Sequence, residues 1–123
     1  MNKLLVLFIF LLSACGHNTV FEDNGKDIQN LKISVGNTAS VKIKENPTTG
    51  YGWRFLLKDE GIIKPLAEDY EATNSGLLGA GGYKFYRFEG IKSGTTEVDA
   101  CYYRPWEKCS ETARRIKFII TVK

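Results

Sequence analysis

The chain has 123 residues, which suits a single domain, and it carries 17 Lys and Arg against 14 Asp and Glu, a formal net charge of +3. Its 43% hydrophobic and 25% charged residues are ordinary for a globular protein and exclude wholesale disorder or collagen-like repeats. So small a basic excess predicts no nucleic-acid partner, because proteins that bind nucleic acid concentrate cations on one face. The one histidine, His17, lies near the N-terminus. This position argues against a catalytic histidine or a histidine metal cluster, and we expect no cofactor.

Residues 1–14 have the pattern of a secretory signal peptide. Lys3 supplies an early positive charge, residues 4–12 are apolar, and small residues follow. The apolar run is far shorter than the ~20 residues of a membrane-spanning helix; a buried N-terminal helix or strand is the alternative. Leu12-Ser13-Ala14-Cys15 resembles the lipobox of bacterial lipoproteins. The resemblance implies that Cys15 is lipidated and becomes the first residue of the mature chain.

Residues 15–30 are interpreted as the lipidated N-terminus and a polar tether, and residues 31–123 as the folded domain. The polar composition around His17 predicts a flexible connection in which this histidine is solvated. Several acyl chains anchor a protein firmly, so we expect an exported bacterial lipoprotein anchored in a membrane. Gly16 after the cysteine resembles the signal for sorting to the outer membrane or cell surface.

Cys101 and Cys109 remain as an even pair once Cys15 is assigned to the lipid. Disulfides persist in exported proteins, so we predict a bridge across the feet of a hairpin. Such a bridge adds about 2–3 kcal/mol to stability in the chain-entropy model; two unpaired thiols are the alternative. The strand pattern places Cys101 on the polar face of its strand, near the surface. No further cysteine or histidine is at hand to complete a metal site.

Period-two alternation of apolar and polar residues predicts β-strands and no convincing helix. The predicted strands are residues 31–35, 41–44, 51–57, 62–70, 83–88, 97–103 and 115–122. Pro65 confines the 62–70 strand to a sheet edge or a bend. About seven short strands, separated by Gly, Asn and Pro turns, predict an all-β antiparallel β-sandwich.

Two loops of this sandwich have glycine-rich sequences. Residues 46–53 combine Pro47 with Gly50 and Gly52, which favours a shaped turn. The glycines of residues 74–82 resemble a phosphate-binding fingerprint, but the signal is weak because a strand follows where that motif needs a helix. In this second loop, Leu77 and Leu78 either contact an extended partner chain or tuck into the end of the sandwich.

The third loop, residues 103–107, contains Arg104 and Trp106, the residue types most enriched at binding hot spots. The alternative is that Trp106 folds back over the sandwich. Alternate connections of a sandwich can share one end. We therefore expect the three loops to form one edge of the molecule.

These loops resemble the three signature loops of the chagasin family, whose members are inhibitors of papain-like cysteine proteases. The motifs occur in the family's order, and the resemblance covers about residues 31–123. It implies an immunoglobulin-like β-sandwich and a three-loop wedge that enters the protease cleft. The residues that it assigns to protease binding are Asn46, Pro47, Thr48, Thr49, Gly50, Tyr51, Gly79, Ala80, Gly81, Gly82, Arg104, Pro105 and Trp106.

The same resemblance implies a place in the cleft for each loop. Thr48 would lie nearest the catalytic Cys–His pair of the protease, and residues 79–82 would follow the non-primed side. Arg104 and Trp106 would dock on the primed side, with Trp106 stacking on protease aromatics. The cysteine pair is not part of the family pattern; if bridged, it would stiffen the third loop.

The chain has no nucleophile–base pair of its own, which favours a reversible, tight-binding inhibitor that acts as a monomer over an enzyme. One alternative is a non-inhibitory surface lipoprotein with an immunoglobulin-like domain. Another is a module that binds a different extended peptide. The surface-lipoprotein alternative predicts no protease inhibition and leaves the three loop motifs unexplained.

Overall fold

A computed structural model of the chain describes residues 17–73 and 81–123. These residues form eight β-strands and a 3-10 turn at Pro47–Thr49. The strands are β1 (Asn18–Glu22), β2 (Ile28–Ile33), β3 (Thr38–Glu45), β4 (Gly52–Leu57), β5 (Ile63–Ala72), β6 (Gly82–Gly90), β7 (Gly94–Tyr103) and β8 (Arg114–Val122). Each predicted strand is present, and β1 is additional.

The strands form two four-stranded sheets that pack as a sandwich. Sheet A has the order β1-β3-β6-β5, and sheet B has the order β2-β8-β7-β4. Neighbouring strands are antiparallel except for the β1–β3 and β2–β8 pairs, which are parallel. The predicted all-β, immunoglobulin-like sandwich is confirmed, with two parallel pairings that the alternation pattern did not reveal.

The core consists of the apolar side chains that alternate along the strands. In β8, Phe118 is 1% exposed and Ile120 is fully buried. Full burial of one such side chain is worth about 1.5–3 kcal/mol. Tyr86 lies in the same core, and its burial, together with the nearby charge of Glu68, raises the pKa of Tyr86 to about 12.

The N-terminal segment differs from the tether expected at residues 15–30. Over its described part, Asn18–Glu22 pairs with β3 as β1, and β2 begins at Ile28. Phe21 packs against the core, whereas Val20 is 49% exposed. The residues of β1 show no clear strand pattern because one side chain, Phe21, supplies the contact of this strand with the core. The folded sandwich therefore reaches back to the start of β1.

Strand β5 is an edge strand of sheet A, as Pro65 predicted. Its register with β6 shifts between Pro65 and Ala67, which marks a β-bulge. Proline and a bulge both hinder pairing with another strand. This edge of the sandwich is therefore protected.

The two ends of the sandwich carry different connections. The strand directions put the β3–β4, β5–β6 and β7–β8 connections together at what we call the loop end. The β2–β3, β4–β5 and β6–β7 connections lie at the opposite end, the base. His17 also lies at the base, because its carbonyl accepts a hydrogen bond from the Thr38 N–H at 2.9 Å.

Candidate functional site

The first loop at the loop end is held by its own polar groups. Asn46 caps the 3-10 turn: its Oδ1 accepts hydrogen bonds from the Thr48 N–H at 3.2 Å and from the Thr48 hydroxyl at 2.6 Å. The Thr49 hydroxyl donates to the Asn46 carbonyl at 2.8 Å, and the Gly50 N–H donates to the Pro47 carbonyl at 3.0 Å. Gly50 has φ +83°, a left-handed conformation that favours glycine. The turn is thus shaped before any partner binds, with Thr48 exposed at its tip.

The feet of this loop are joined by Glu45, a residue that the sequence analysis missed. Glu45 is 6% exposed, and its Oε2 accepts a hydrogen bond from the Trp53 N–H at 2.8 Å. The Trp53 indole N–H donates to the Lys44 carbonyl at 3.0 Å. These bonds link the end of β3 in sheet A to the start of β4 in sheet B. A charged residue in the core-facing series Val41, Ile43, Glu45 was the available signal.

The third loop packs against the first through Arg104. Its guanidinium lies 4.5 Å from the ring centroid of Tyr51 and 5.8 Å from that of Trp106. One Arg104 nitrogen is 3.8 Å from a Glu107 carboxylate oxygen. Trp106 is 73% exposed, so it does not fold back over the sandwich. A Cβ on Gly50 would lie 3.3 Å from the Trp106 ring, which shows how closely the two loops approach.

The second loop is described at its feet. Gly79 and Ala80, with the rest of residues 74–80, lie outside the described residues. Gly81 has φ +75°, and a Cβ there would lie 2.9 Å from the carbonyl oxygen of Glu45. The Thr73 N–H donates to the Gly81 carbonyl at 3.0 Å, which closes the base of the loop. Gly81 and the buried Gly82 therefore place this loop directly beside the first one.

Cys101 and Cys109 form a disulfide with their Cα atoms 6.1 Å apart. The strand pattern correctly put Cys101 on the outer face of sheet B, but it is 8% exposed and so more buried than expected. The third loop explains this burial, since its return arm, residues 107–113, lies against sheet B and carries Cys109. Arg115 donates to the carbonyls of Cys109 at 3.2 Å and Ser110 at 2.7 Å. Cys15 lies outside the described residues.

Neither a membrane span nor a metal centre is found in the described part of the chain. Residues 17–73 and 81–123 contain no helix long and apolar enough to cross a bilayer. The same residues contain no group of three or more His, Cys, Asp or Glu side chains placed to hold a metal ion. The distinctive chemistry of the loop end is that of binding: a capped turn, close-approaching glycines and an exposed indole.

Comparison with known proteins decides the family. A sequence model described as "Chagasin family peptidase inhibitor I42" matches residues 32–122, a stretch that contains all three loops. The chain belongs to the chagasin family. As a member of this family it is an inhibitor of papain-like cysteine proteases and not an enzyme.

Individual relatives agree with this assignment. The chain is 32% identical to chagasin of Trypanosoma cruzi over 93 residues, which cover 69% of this chain and 81% of that protein. Its fold is similar to the crystal structure of the cysteine protease inhibitor EhICP2 from Entamoeba histolytica, with a TM-score of 0.71, 21% identity and coverage of 87% and 96%. It is also similar to PbICP-C, solved in complex with falcipain-2, with a TM-score of 0.64, 18% identity and coverage of 85% and 99%.

Proposed function

We propose that the chain blocks the active-site cleft of a papain-like cysteine protease with a wedge made of its three loops. The observation that carries the proposal is the packing of the loops at one end of the sandwich. Gly81 abuts the first loop, and the Arg104 guanidinium lies close to the rings of both Tyr51 and Trp106. Preorganised loops lose little conformational freedom on docking, which favours tight binding.

The first loop supplies the tip of the wedge. Thr48 is small and exposed, so its backbone and hydroxyl can approach the reactive cysteine of the protease. The Asn46 cap holds the turn in a 3-10 conformation. An extended strand is the form in which a substrate presents its scissile bond, so this turn would block the catalytic pair without being cut.

The other two loops extend the contact to either side. Gly79, Ala80, Gly81 and Gly82 carry almost no side chain, so their backbone can lie against the non-primed side of the cleft. Trp106 is the aromatic anchor on the primed side, because it projects into solvent and leaves most of its ring area free to be buried. The Arg104 guanidinium, 5.8 Å from the Trp106 ring centroid, can restrain the indole. Pro105 between them limits the freedom of the hairpin tip.

The disulfide adds a second level of restraint. Cys101 belongs to a paired strand, whereas Cys109 belongs to the exposed return arm. The bridge therefore fastens the return arm of the third loop to sheet B. We propose that it lowers the conformational entropy that this loop loses when a protease binds.

We also propose that the chain works as a monomeric lipoprotein anchored in a membrane, at the outer membrane or cell surface, through lipidated Cys15. The support for the anchor comes from the sequence, which places an apolar run of residues 4–12 directly before a lipobox-like Leu-Ser-Ala-Cys. A wedge that fills one cleft needs one copy of the chain for each protease.

Titration of active papain with the purified protein tests the inhibitory mechanism. Residual activity on a fluorogenic peptide is expected to fall linearly to zero at one inhibitor per active site. A Thr48→Arg variant places a long charged side chain at the tip and is expected to shift the titration to much higher concentration. Leu56→Ser, at an exposed residue of β4 that belongs to none of the three loops, is the matched control. Full papain activity at micromolar inhibitor, with the protein shown to be folded, would contradict the proposal.

A further inference from the structure

Two exposed apolar side chains lie at the base of the sandwich, opposite the wedge. Val35 is 47% exposed in the β2–β3 connection, and Ile91 is 45% exposed in the β6–β7 connection. The Gly36 N–H donates to the Gly90 carbonyl at 2.8 Å, so the two connections lie side by side. We call Val35 and Ile91 the basal patch. Neither residue belongs to the protease-binding loops.

The N-terminal side of the chain enters the sandwich at this same base. The His17 N–H donates to Asn37 Oδ1 at 3.2 Å, and its carbonyl accepts from the Thr38 N–H at 2.9 Å. From there β1 runs parallel to β3, toward the loop end. Cys15 precedes His17 by two residues, so an anchor on Cys15 would lie within about 7 Å of this point.

We infer that the basal patch rests on the lipid surface that holds the anchor, so that the wedge points away from the membrane. This inference rests on the proposed lipid anchor and deepens it. β3 runs from the base at Thr38 to the loop end at Glu45. At about 3.3 Å per residue, the wedge is held about 25 Å from the bilayer surface. The cleft of a free protease can then reach it without steric interference from the membrane.

Charged side chains of both signs lie at the base, which points to an apolar contact rather than to an attraction between opposite charges. Two lysines lie beside the basal patch. Lys92 follows Ile91 in the chain, and the Lys123 carbonyl accepts a hydrogen bond from the Val35 N–H at 2.9 Å. Lys58 and the acidic residues Asp59 and Glu60 lie in the β4–β5 connection at the same end. The lipid contact is therefore expected to form on neutral as well as anionic bilayers and to persist at high salt.

Depth-dependent fluorescence quenching tests this orientation. The lipidated protein, purified from membranes and reconstituted in phosphatidylcholine vesicles with spin-labelled lipid, carries a fluorescent amino acid at Lys92 or, as control, at exposed Lys108 in the third loop. Quenching at position 92 is expected to exceed that at position 108 at least threefold. Val35→Ser with Ile91→Ser should at least halve the quenching at position 92. Leu56→Ser, at a residue 67% exposed on sheet B, should leave it unchanged.

Sedimentation with the vesicles separates the two ways in which the inference can fail. Protein that pellets but is quenched equally at both positions overturns the orientation alone. Protein that stays in the supernatant overturns the anchor and the orientation together. Quenching at position 92 that survives the double serine change refutes the apolar contact. Cross-linking that shows the basal patch covered by a second copy of the chain refutes it as well. Papain inhibition by the same samples tests the proposed protease inhibition independently.

Discussion

Replacing Cys101 and Cys109 by serine should reduce stability far more than inhibition. The bridge joins residues separated by 8 positions. The chain-entropy model gives such a short loop about 2.5 kcal/mol of unfolding free energy at 25 °C. The double variant should therefore lose roughly that amount while keeping the sandwich, because the strands on both sides of the loop remain paired along their length.

The effect on binding is smaller because other contacts still order the third loop. Arg104 keeps its contacts with the rings of Tyr51 and Trp106, and Arg115 keeps its hydrogen bonds to the return arm. If about one rotamer-rich side chain becomes free, its ordering costs about 1 kcal/mol on binding. This corresponds to about a fivefold rise in Kd for papain. The rise should appear mainly in the dissociation rate.

The assay must keep the bridge closed in the parent protein. Papain is activated with a thiol and then freed of it before mixing, and inhibition is followed to steady state. Urea unfolding, read by far-UV circular dichroism, gives the stability of both proteins. An unchanged Kd beside a loss of about 2.5 kcal/mol would refute the stiffening of the wedge while leaving the bridge as a stabilising element.

Four further predictions follow from the loop end and the core. Trp106→Ala should weaken papain inhibition by about 1–3 kcal/mol without lowering the unfolding temperature; equal potency would remove its role as anchor. Gly81→Ala places an alanine with left-handed backbone against the Glu45 carbonyl and should weaken inhibition over tenfold. The control Gly25→Ala has a similar φ of +81° but open space around the added Cβ, so it should affect stability alone. Glu45→Ala leaves the buried Trp53 N–H without its hydrogen bond, which should lower the unfolding free energy by about 1–3 kcal/mol and raise the Kd for papain. Glu45→Gln keeps an acceptor oxygen and should restore most of both losses. Failure of this rescue would contradict the role of Glu45 in joining the feet of the first loop. Because the pKa of Tyr86 is raised to about 12, the neutral phenol contributes fully to the unfolding free energy below about pH 10, and this contribution is lost as the pH rises toward 12. Tyr86→Phe should flatten that part of the pH–stability curve, measured by urea unfolding.

The fold was largely predictable because each sheet has one buried face. Alternation such as Ile116, Phe118, Ile120 specifies both the strand and its orientation, and Pro65 specifies an edge. β1 escaped notice because an exposed edge strand needs little apolar surface of its own. Its pairing with β3 depends on backbone hydrogen bonds, which leave no pattern in the side chains.

The site was predictable as a set of motifs but not as an assembly. Proline and glycine identify the first loop because its turn needs their backbone conformations. The stacking of Arg104 on Tyr51 joins residues far apart in sequence, and the hydrogen bond from the Trp53 N–H to Glu45 joins strands of different sheets. Such contacts depend on how the two sheets meet, which local propensity does not encode.

The parallel pairing of β2 with β8 has a consequence for the order of folding. β2 lies at an edge of sheet B, and its partner β8 is the last of the eight described strands in chain order. Closing so long a chain segment costs entropy before the contacts form, which slows folding. Sheet B therefore cannot be completed until residues 114–122 are available. A chain truncated before this point would lack the strand that joins β2 to β7, and the sandwich would remain open.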